Sequence, residues 1–222
     1  MLKLLSIFFL GFHLYSYAED CRLLKSDESI EFFPTTARLV DDKWEVPIHV
    51  HVFEREEKSW SRKAFIKALQ KFVGVSEDEI EKKIFQDRLH QFLVDNQRGK
   101  SLSVEIAGKI YKLPATLRNG HTRTTFNVPA ADIPRDQNLV VARLAQTLRD
   151  SCTLQTVIPL IKETGLTVVS DIDDTIKVTS VRDRKEMLRN TFLRKMQAVA
   201  GMPDLYRTWV DKLQHQNIHF HY

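Results

Sequence analysis

Over residues 44–52 the chain alternates strictly: Trp44, Val46, Ile48, Val50 and Val52 share one face, and Glu45, Pro47, His49 and His51 share the other. A period of two predicts a half-buried β-strand. Pro47 has no N–H to give to a ladder, which predicts that this strand lies at a sheet edge. The period then lengthens. Phe65, Ile66, Leu69, Phe72 and Val73 recur at helical spacing over 61–73, with Gly74 as the stop, so an amphipathic helix is expected. Ser76 followed by Glu79 is a capping box opening a second helix, which carries Ile80, Ile84, Phe85, Leu89, Phe92 and Leu93 until Gly99 ends the segment. Strands resume over 102–106 and 110–113. Asn119-Gly120 predicts a hairpin turn between Leu117 and a strand over 122–128, and 139–148 reads as a further strand with a helix as the alternative.

The most informative stretch is GLTVVSDIDDTIKVT, residues 165–179. Leu166, Val168 and Val169 predict a short strand of a parallel sheet, buried on both faces, and ligands gather at the carboxyl ends of such strands. Asp171 is the first residue off that end. A carboxylate there can attack a phosphoryl group and hold it as an acyl phosphate, which splits one hard displacement into two easier ones. Asp173, two positions on, can protonate the leaving oxygen and later activate the water that clears the intermediate. Mg²⁺ takes few protein ligands, all oxygen, so the carboxylate of Asp171 and the carbonyl of Asp173 are its candidate holders. Thr175 would close the loop through its hydroxyl. An ordinary acidic turn is the bland alternative. The D-x-D-x-T spacing, the lack of Gly or Pro in the loop and the apolar Ile172 between the acids argue against it.

SDIDDTIKVTSV (170–181), then Asn190-Thr191-Phe192-Leu193, then AVAGMPDLYRTW (198–209) together resemble the catalytic region of the actin-patch-protein family of phosphatidate phosphatases, in the haloacid-dehalogenase-like superfamily. The resemblance spans about 166–222, roughly a quarter of the chain. It implies an α/β, Rossmann-like catalytic domain and a Mg²⁺-dependent phosphomonoesterase. Phosphatidate or another phosphomonoester would be the substrate, with Asp171 as nucleophile, Asp173 as acid and base, and Thr175 as the motif threonine. The chain departs from the family at Lys195-Met196, where Pro-Phe is frequent, and at Ala200 in Ala198-Val199-Ala200-Gly201-Met202, where proline is frequent. Family members continue beyond the strand at 218–222 into a serine-rich phosphate loop, a lysine and a second acidic metal site. On that resemblance the catalytic domain is expected to be incomplete here, and the chain to be a truncated product, a partial gene model or the front of a larger enzyme, inactive alone.

Composition sets the context. Apolar residues make up 43% of the chain and charged ones 28%, which fits a core-forming protein. Lys3, the apolar run 4–14 and Ser16-Tyr17-Ala18 read as a signal peptide over 1–18, so export to a periplasm or the exterior is expected. In an oxidising compartment Cys21 and Cys152 become a candidate disulfide, with two separate thiols as the alternative. The formal net charge of +4, or +3 once Lys3 is removed, says little. Its distribution says more, because Arg182, Arg184, Lys185, Arg189, Arg194 and Lys195 follow the acid loop, interleaved with Met187, Leu188, Phe192, Leu193 and Met196. A flap of this kind would offer cations to a phosphate headgroup and apolar side chains to acyl chains at a peripheral membrane contact. The alternative is a surface helix with a solvated basic face. No nucleic-acid-binding module is visible. His49 and His51 point to one strand face and are a candidate metal pair without a third ligand.

These readings give a β-rich accessory domain with a helical insertion over 19–150 and the amino-terminal part of a phosphatase domain over 151–222. A secreted, noncatalytic binding protein with a relic motif is the second reading.

Overall fold

The computed structural model describes residues 28–55, 60–146, 152–161, 165–213 and 218–221. The expected signal peptide and Cys21 lie outside them. The described residues fall into two units, one from 28–54 with 95–161 and the other from 55–94 with 165–221.

The first unit is a sheet of nine strands: β1 (Ser29–Phe32), β2 (Ala37–Val40), β3 (Lys43–Arg55), β4 (Val94–Asn96), β5 (Ser103–Ile106), β6 (Lys109–Lys112), β7 (His121–Pro129), β8 (Leu139–Leu144) and β9 (Gln155–Ile161). Its order is β1-β3-β2-β9-β8-β5-β6, with β4 and β7 also pairing with β3. The alternation that predicted β3 is realised: Trp44, Val46, Ile48, Val50 and Val52 are all buried, and they join Val104, Ile106, Val128 and Ile158 in one core. Residues 139–144 form a strand, not the alternative helix.

The edge position expected of β3 is not observed. β7 pairs with one side of it from Lys43 to His51. On the other side β2 covers 43–45 and β1 covers 50–53, which leaves a gap opposite Pro47. There the Pro47 carbonyl accepts from the Thr35 hydroxyl at 2.7 Å, and no ladder N–H is required of the ring. Proline is tolerated in the middle of the sheet because the neighbouring ladder is interrupted at that point.

Two hairpins turn through left-handed residue pairs, Asp41-Asp42 (φ 45° and 56°) between β2 and β3, and Ala107-Gly108 (φ 50° and 74°) between β5 and β6. Both positive angles match the twist of the strands they join. Asn119-Gly120 does form a turn, Gly120 N–H donating to the Leu117 carbonyl at 3.0 Å. Leu117 N–H donates back to the His121 carbonyl at 2.8 Å, so the expected turn closes, with no strand assigned before it and β7 after it pairing with β3. Gly120 is required there: φ is +74°, and a Cβ would lie 2.4 Å from the Val52 carbonyl oxygen.

The second unit contains α1 (Trp60–Val73), α2 (Glu77–Glu81), α3 (Lys83–Phe92), β10 (Leu166–Val169), α4 (Arg184–Phe192), α5 (Met202–Leu213) and β11 (Ile218–His221). The Ser76–Glu79 capping box forms, but the helix it opens breaks at Lys82, whose backbone is extended (φ −62°, ψ 135°). The helical segment expected inside the β-rich domain groups with this unit. Leu69, Val73, Val75, Phe85 and Leu89 share a buried core with Phe192 of α4, flanked by Leu188 and Leu193. Polar contacts reinforce it: Arg88 donates to the carbonyls of Asn190 (2.8 Å) and Thr191 (2.6 Å), and Arg189 to that of Val73 (2.9 Å). These carbonyls are at helix ends, where no intrahelical donor remains for them.

β10 and β11 pair in parallel from Leu166 opposite Ile218 to Val169 opposite His221, with α4 and α5 in the connection, the arrangement a parallel pair requires. Burial of β10 on both faces does not occur, since Val169 is 77% exposed and Leu166 38%. Among the described residues its one partner strand, β11, and the Tyr206–Phe220 ring contact of α5 on β11, 5.0 Å between centroids, do not cover both faces.

Candidate active site

The acid loop begins where the parallel ladder ends. Ser170 N–H still donates to the His221 carbonyl (2.9 Å), so Asp171 is the first residue beyond the pairing, as the sequence predicts. The Ser170 hydroxyl lies 2.5 Å from that of Tyr206, which fastens the strand end to α5. The chain then folds back tightly. The Ile172 carbonyl takes the N–H groups of Ile176 and Lys177, each at 2.9 Å, and Asp174 stands in the left-handed region at φ 58°. Val178 N–H to Gln197 O and Val199 N–H to Ile176 O, both 2.8 Å, tie the loop to the segment before α5.

The three carboxylates in this loop have different surroundings. Asp171 is exposed, and its Oδ2 accepts only a long 3.5 Å contact from the Thr175 hydroxyl among the described residues. Asp173 Oδ1 accepts from the Thr179 hydroxyl at 2.6 Å and lies 3.2 Å from the Lys177 ammonium. The Thr179 bond foremost, with Lys177 assisting, holds the Asp173 carboxyl below the usual carboxylate range. Asp174 accepts from three backbone N–H groups, Thr179 (2.7 Å) and Ser180 (2.6 Å) on Oδ1 and Val181 (2.8 Å) on Oδ2. Those of Ser180, Val181 and Thr179, in that order, depress its pKa.

The predicted trio is therefore brought onto one loop, Asp171 against Thr175 and Asp173 beside them in sequence with its own partners. Among the described residues no group of three or more His, Cys, Asp or Glu side chains is arranged to hold a metal. The donors on offer are oxygen only, the lightly engaged Asp171 carboxylate and the Asp173 carbonyl, a set that suits a hard cation keeping most of its waters.

The basic residues divide. Arg189 donates to the Val73 carbonyl of the helical core and stands 4.0 Å from Glu186. Arg182, Arg184 and Lys185 are exposed around the start of α4, where Asp183 caps the helix by accepting from Lys185 and Glu186 N–H. A cavity of about 330 Å³ is lined instead by Val178, Ser180, Asn190, Arg194, Lys195 and Gln197, together with Glu186. Arg194 is paired with Glu186 at 2.5 Å. The apolar side of α4 packs inward, Phe192 buried and Leu188 and Leu193 half-buried against the core of α1 and α3. Val181 and Met196 stay exposed, at 47% and 60%. No helix among the described residues is long and apolar enough to cross a membrane.

In the first unit, His49 and His51 gain a third histidine that spacing could not supply. The β3–β7 register sets His121 opposite His51. His51 and His121 stack face to face, 4.1 Å and 3° apart, and His49 Nε2 lies 3.0 Å from His121 Nδ1. His49 is tilted 43° to His121 and stacks on Phe33 instead, and among the described residues the three rings are not arranged to hold a metal. Cys152 packs at the edge of this unit's core; its pairing with Cys21 lies outside the described residues.

Sequence reasoning passed over Asp174, Thr179, Asn190 and Tyr206. The signal for the first two was present, a third acid inside D-x-D-D-T and a hydroxyl five residues later.

Compared with protein families, residues 166–222 match Phosphatidate phosphatase APP1, catalytic domain. The matched segment starts with β10 and takes in the acid loop, α4, α5 and β11. No curated protein and no solved structure matches the chain.

Proposed function

We propose that the second unit carries the nucleophile-bearing part of a Mg²⁺-dependent phosphomonoesterase of the haloacid-dehalogenase-like superfamily, acting on phosphatidate or a related lipid phosphomonoester. The observation that carries the reading is Asp171, exposed at the open end of a parallel strand pair with one long contact, inside the segment that matches a phosphatidate phosphatase catalytic domain.

An Asp171 carboxylate oxygen attacks phosphorus, and the ester P–O bond breaks as the acyl phosphate forms. The departing oxygen takes a proton from Asp173 and leaves as an alcohol. Water then attacks the same phosphorus, giving its proton to Asp173, and the bond to Asp171 breaks to release phosphate and restore the carboxylate. Asp173 enters the first step protonated and emerges from it ionised, the form that Thr179 and Lys177 favour and that accepts the water proton. The acid half-reaction requires it to be protonated when substrate is bound. The Asp171 carboxylate and the Asp173 carbonyl would hold Mg²⁺, which would supply neutralisation of phosphate charge. Arg182, Arg184 and Lys185 remain candidate headgroup contacts in this proposal, and export and peripheral membrane contact belong to it as well.

The test is phosphate release from dispersed phosphatidate with and without Mg²⁺, for the whole enzyme that carries this chain and for Asp171→Asn within it. Mg²⁺-dependent release that the substitution abolishes is expected; release that survives it would overturn the assignment.

A further inference from the structure

Asp174 has no role in the chemistry above, yet it is the best-connected carboxylate of the loop. Its two oxygens accept three consecutive N–H groups, those of Thr179, Ser180 and Val181, at 2.6–2.8 Å. The turn it grips is also held from α4, because Asn190 Nδ2 donates to the Thr179 carbonyl (3.2 Å) and the Ser180 hydroxyl (3.3 Å). Ser180 itself has φ 62°, an angle a non-glycine residue keeps only when its surroundings insist. The side chain delivered by this clamped turn is that of Thr179, 3% exposed, with its hydroxyl 2.6 Å from Asp173 Oδ1.

We infer that Asp174 is a positioning residue: by clamping residues 179–181 it holds the Thr179 hydroxyl on Asp173 and so fixes where that carboxyl stands for proton transfer. This rests on the proposed acid and base role of Asp173. Ligand binding is a poor alternative for Asp174, because each of its oxygens is already turned to backbone donors within the loop. The connection also explains why a loop lacking Gly and Pro holds one shape: a carboxylate takes the place of backbone pairing.

The test uses Asp174→Gly, which accepts φ 58° without strain and removes only the carboxylate, and Asp174→Asn, which keeps an acceptor for Thr179 and Ser180. The first readout is independent of turnover. The buried Thr179 hydroxyl proton should give a slowly exchanging NMR signal in the native protein, lose it in Asp174→Gly while α4 and α5 amides stay protected, and regain it in Asp174→Asn. The second is single-turnover formation of the acyl phosphate from an alkyl phosphate and from p-nitrophenyl phosphate, whose phenolate leaves without a proton. A misplaced general acid should slow the alkyl substrate about tenfold to a hundredfold and the nitrophenyl one hardly at all. A Thr179 signal unchanged in Asp174→Gly, or equal slowing of both substrates, would overturn the inference. A lost Thr179 signal with no acyl phosphate from either substrate, even in the native protein, would support the clamp and count against the proposed nucleophile.

Discussion

The β3–β7 face of the first unit gathers three histidines and the 170–181 loop of the second three carboxylates, and their surroundings act on them in opposite ways. On the sheet, His49 and His121 have their pKa values lowered mainly by burial, with further lowering by neighbouring charge from Arg123 and His51 for the first and from His51 and His49 for the second. The surroundings there favour neutral rings that stack. In the loop, Asp173 and Asp174 are lowered mainly by donated hydrogen bonds, so the surroundings favour charge. Partial burial on the sheet disfavours the charged form of these rings, whereas donated hydrogen bonds in the exposed loop favour it for the carboxylates. Among the described residues Asp171 is the carboxylate left outside that second scheme, with a single 3.5 Å contact, as the proposed nucleophile requires.

The largest expected effect breaks the loop side of the comparison: Asp171→Asn should lower Mg²⁺-dependent phosphate release by about a thousandfold or more, measured as initial rates. Next is the sheet side. Ile48→Ala should cost about 3 kcal/mol by denaturant titration, because Ile48 is 1% exposed within the core. Gly120→Ala should also destabilise the first unit, since its Cβ would meet Val52 O at 2.4 Å with φ at +74°. Acid sharpens the contrast further. The folded-state pKa values of His49 and His121 lie below 6.5, so the unfolded chain binds more protons just under that pH. Stability from these rings is complete above about 6.5 and falls as pH drops through the lowered values. Melting of the first unit at pH 7.5 and 5.0 should show that fall, and His121→Gln should reduce it. The smallest effect is at an exposed cap: Ser76→Ala, which removes the capping box, should cost about 1 kcal/mol or less in thermal unfolding.

Much of this was legible where one residue pattern has one physical solution. The alternation through Trp44 and Val52 required a strand with one buried face, and Ser76 with Glu79 required a helix start. The apolar run ending before Asp171 required a strand that delivers acids to a loop. What was not legible depends on partners remote in sequence. Pro47 reads as an edge signal until the gap between β1 and β2 is known. The apolar faces of α1 and α3 do not say that Phe192, about a hundred residues on, completes their core. Asp41-Asp42 turns through positive φ that aspartate tolerates without advertising. His121 joins His49 and His51 only through the β3–β7 register, and the position of Asp174 in the sequence does not announce its three N–H partners.

The central claim is tested most directly by trapping the intermediate. Brief reaction with ³²P-labelled substrate and Mg²⁺, acid quench and peptide mapping should find hydroxylamine-sensitive label on Asp171, absent from Asp171→Asn. Phosphate release with no acid-stable label on Asp171, or label that persists in Asp171→Asn, would contradict it.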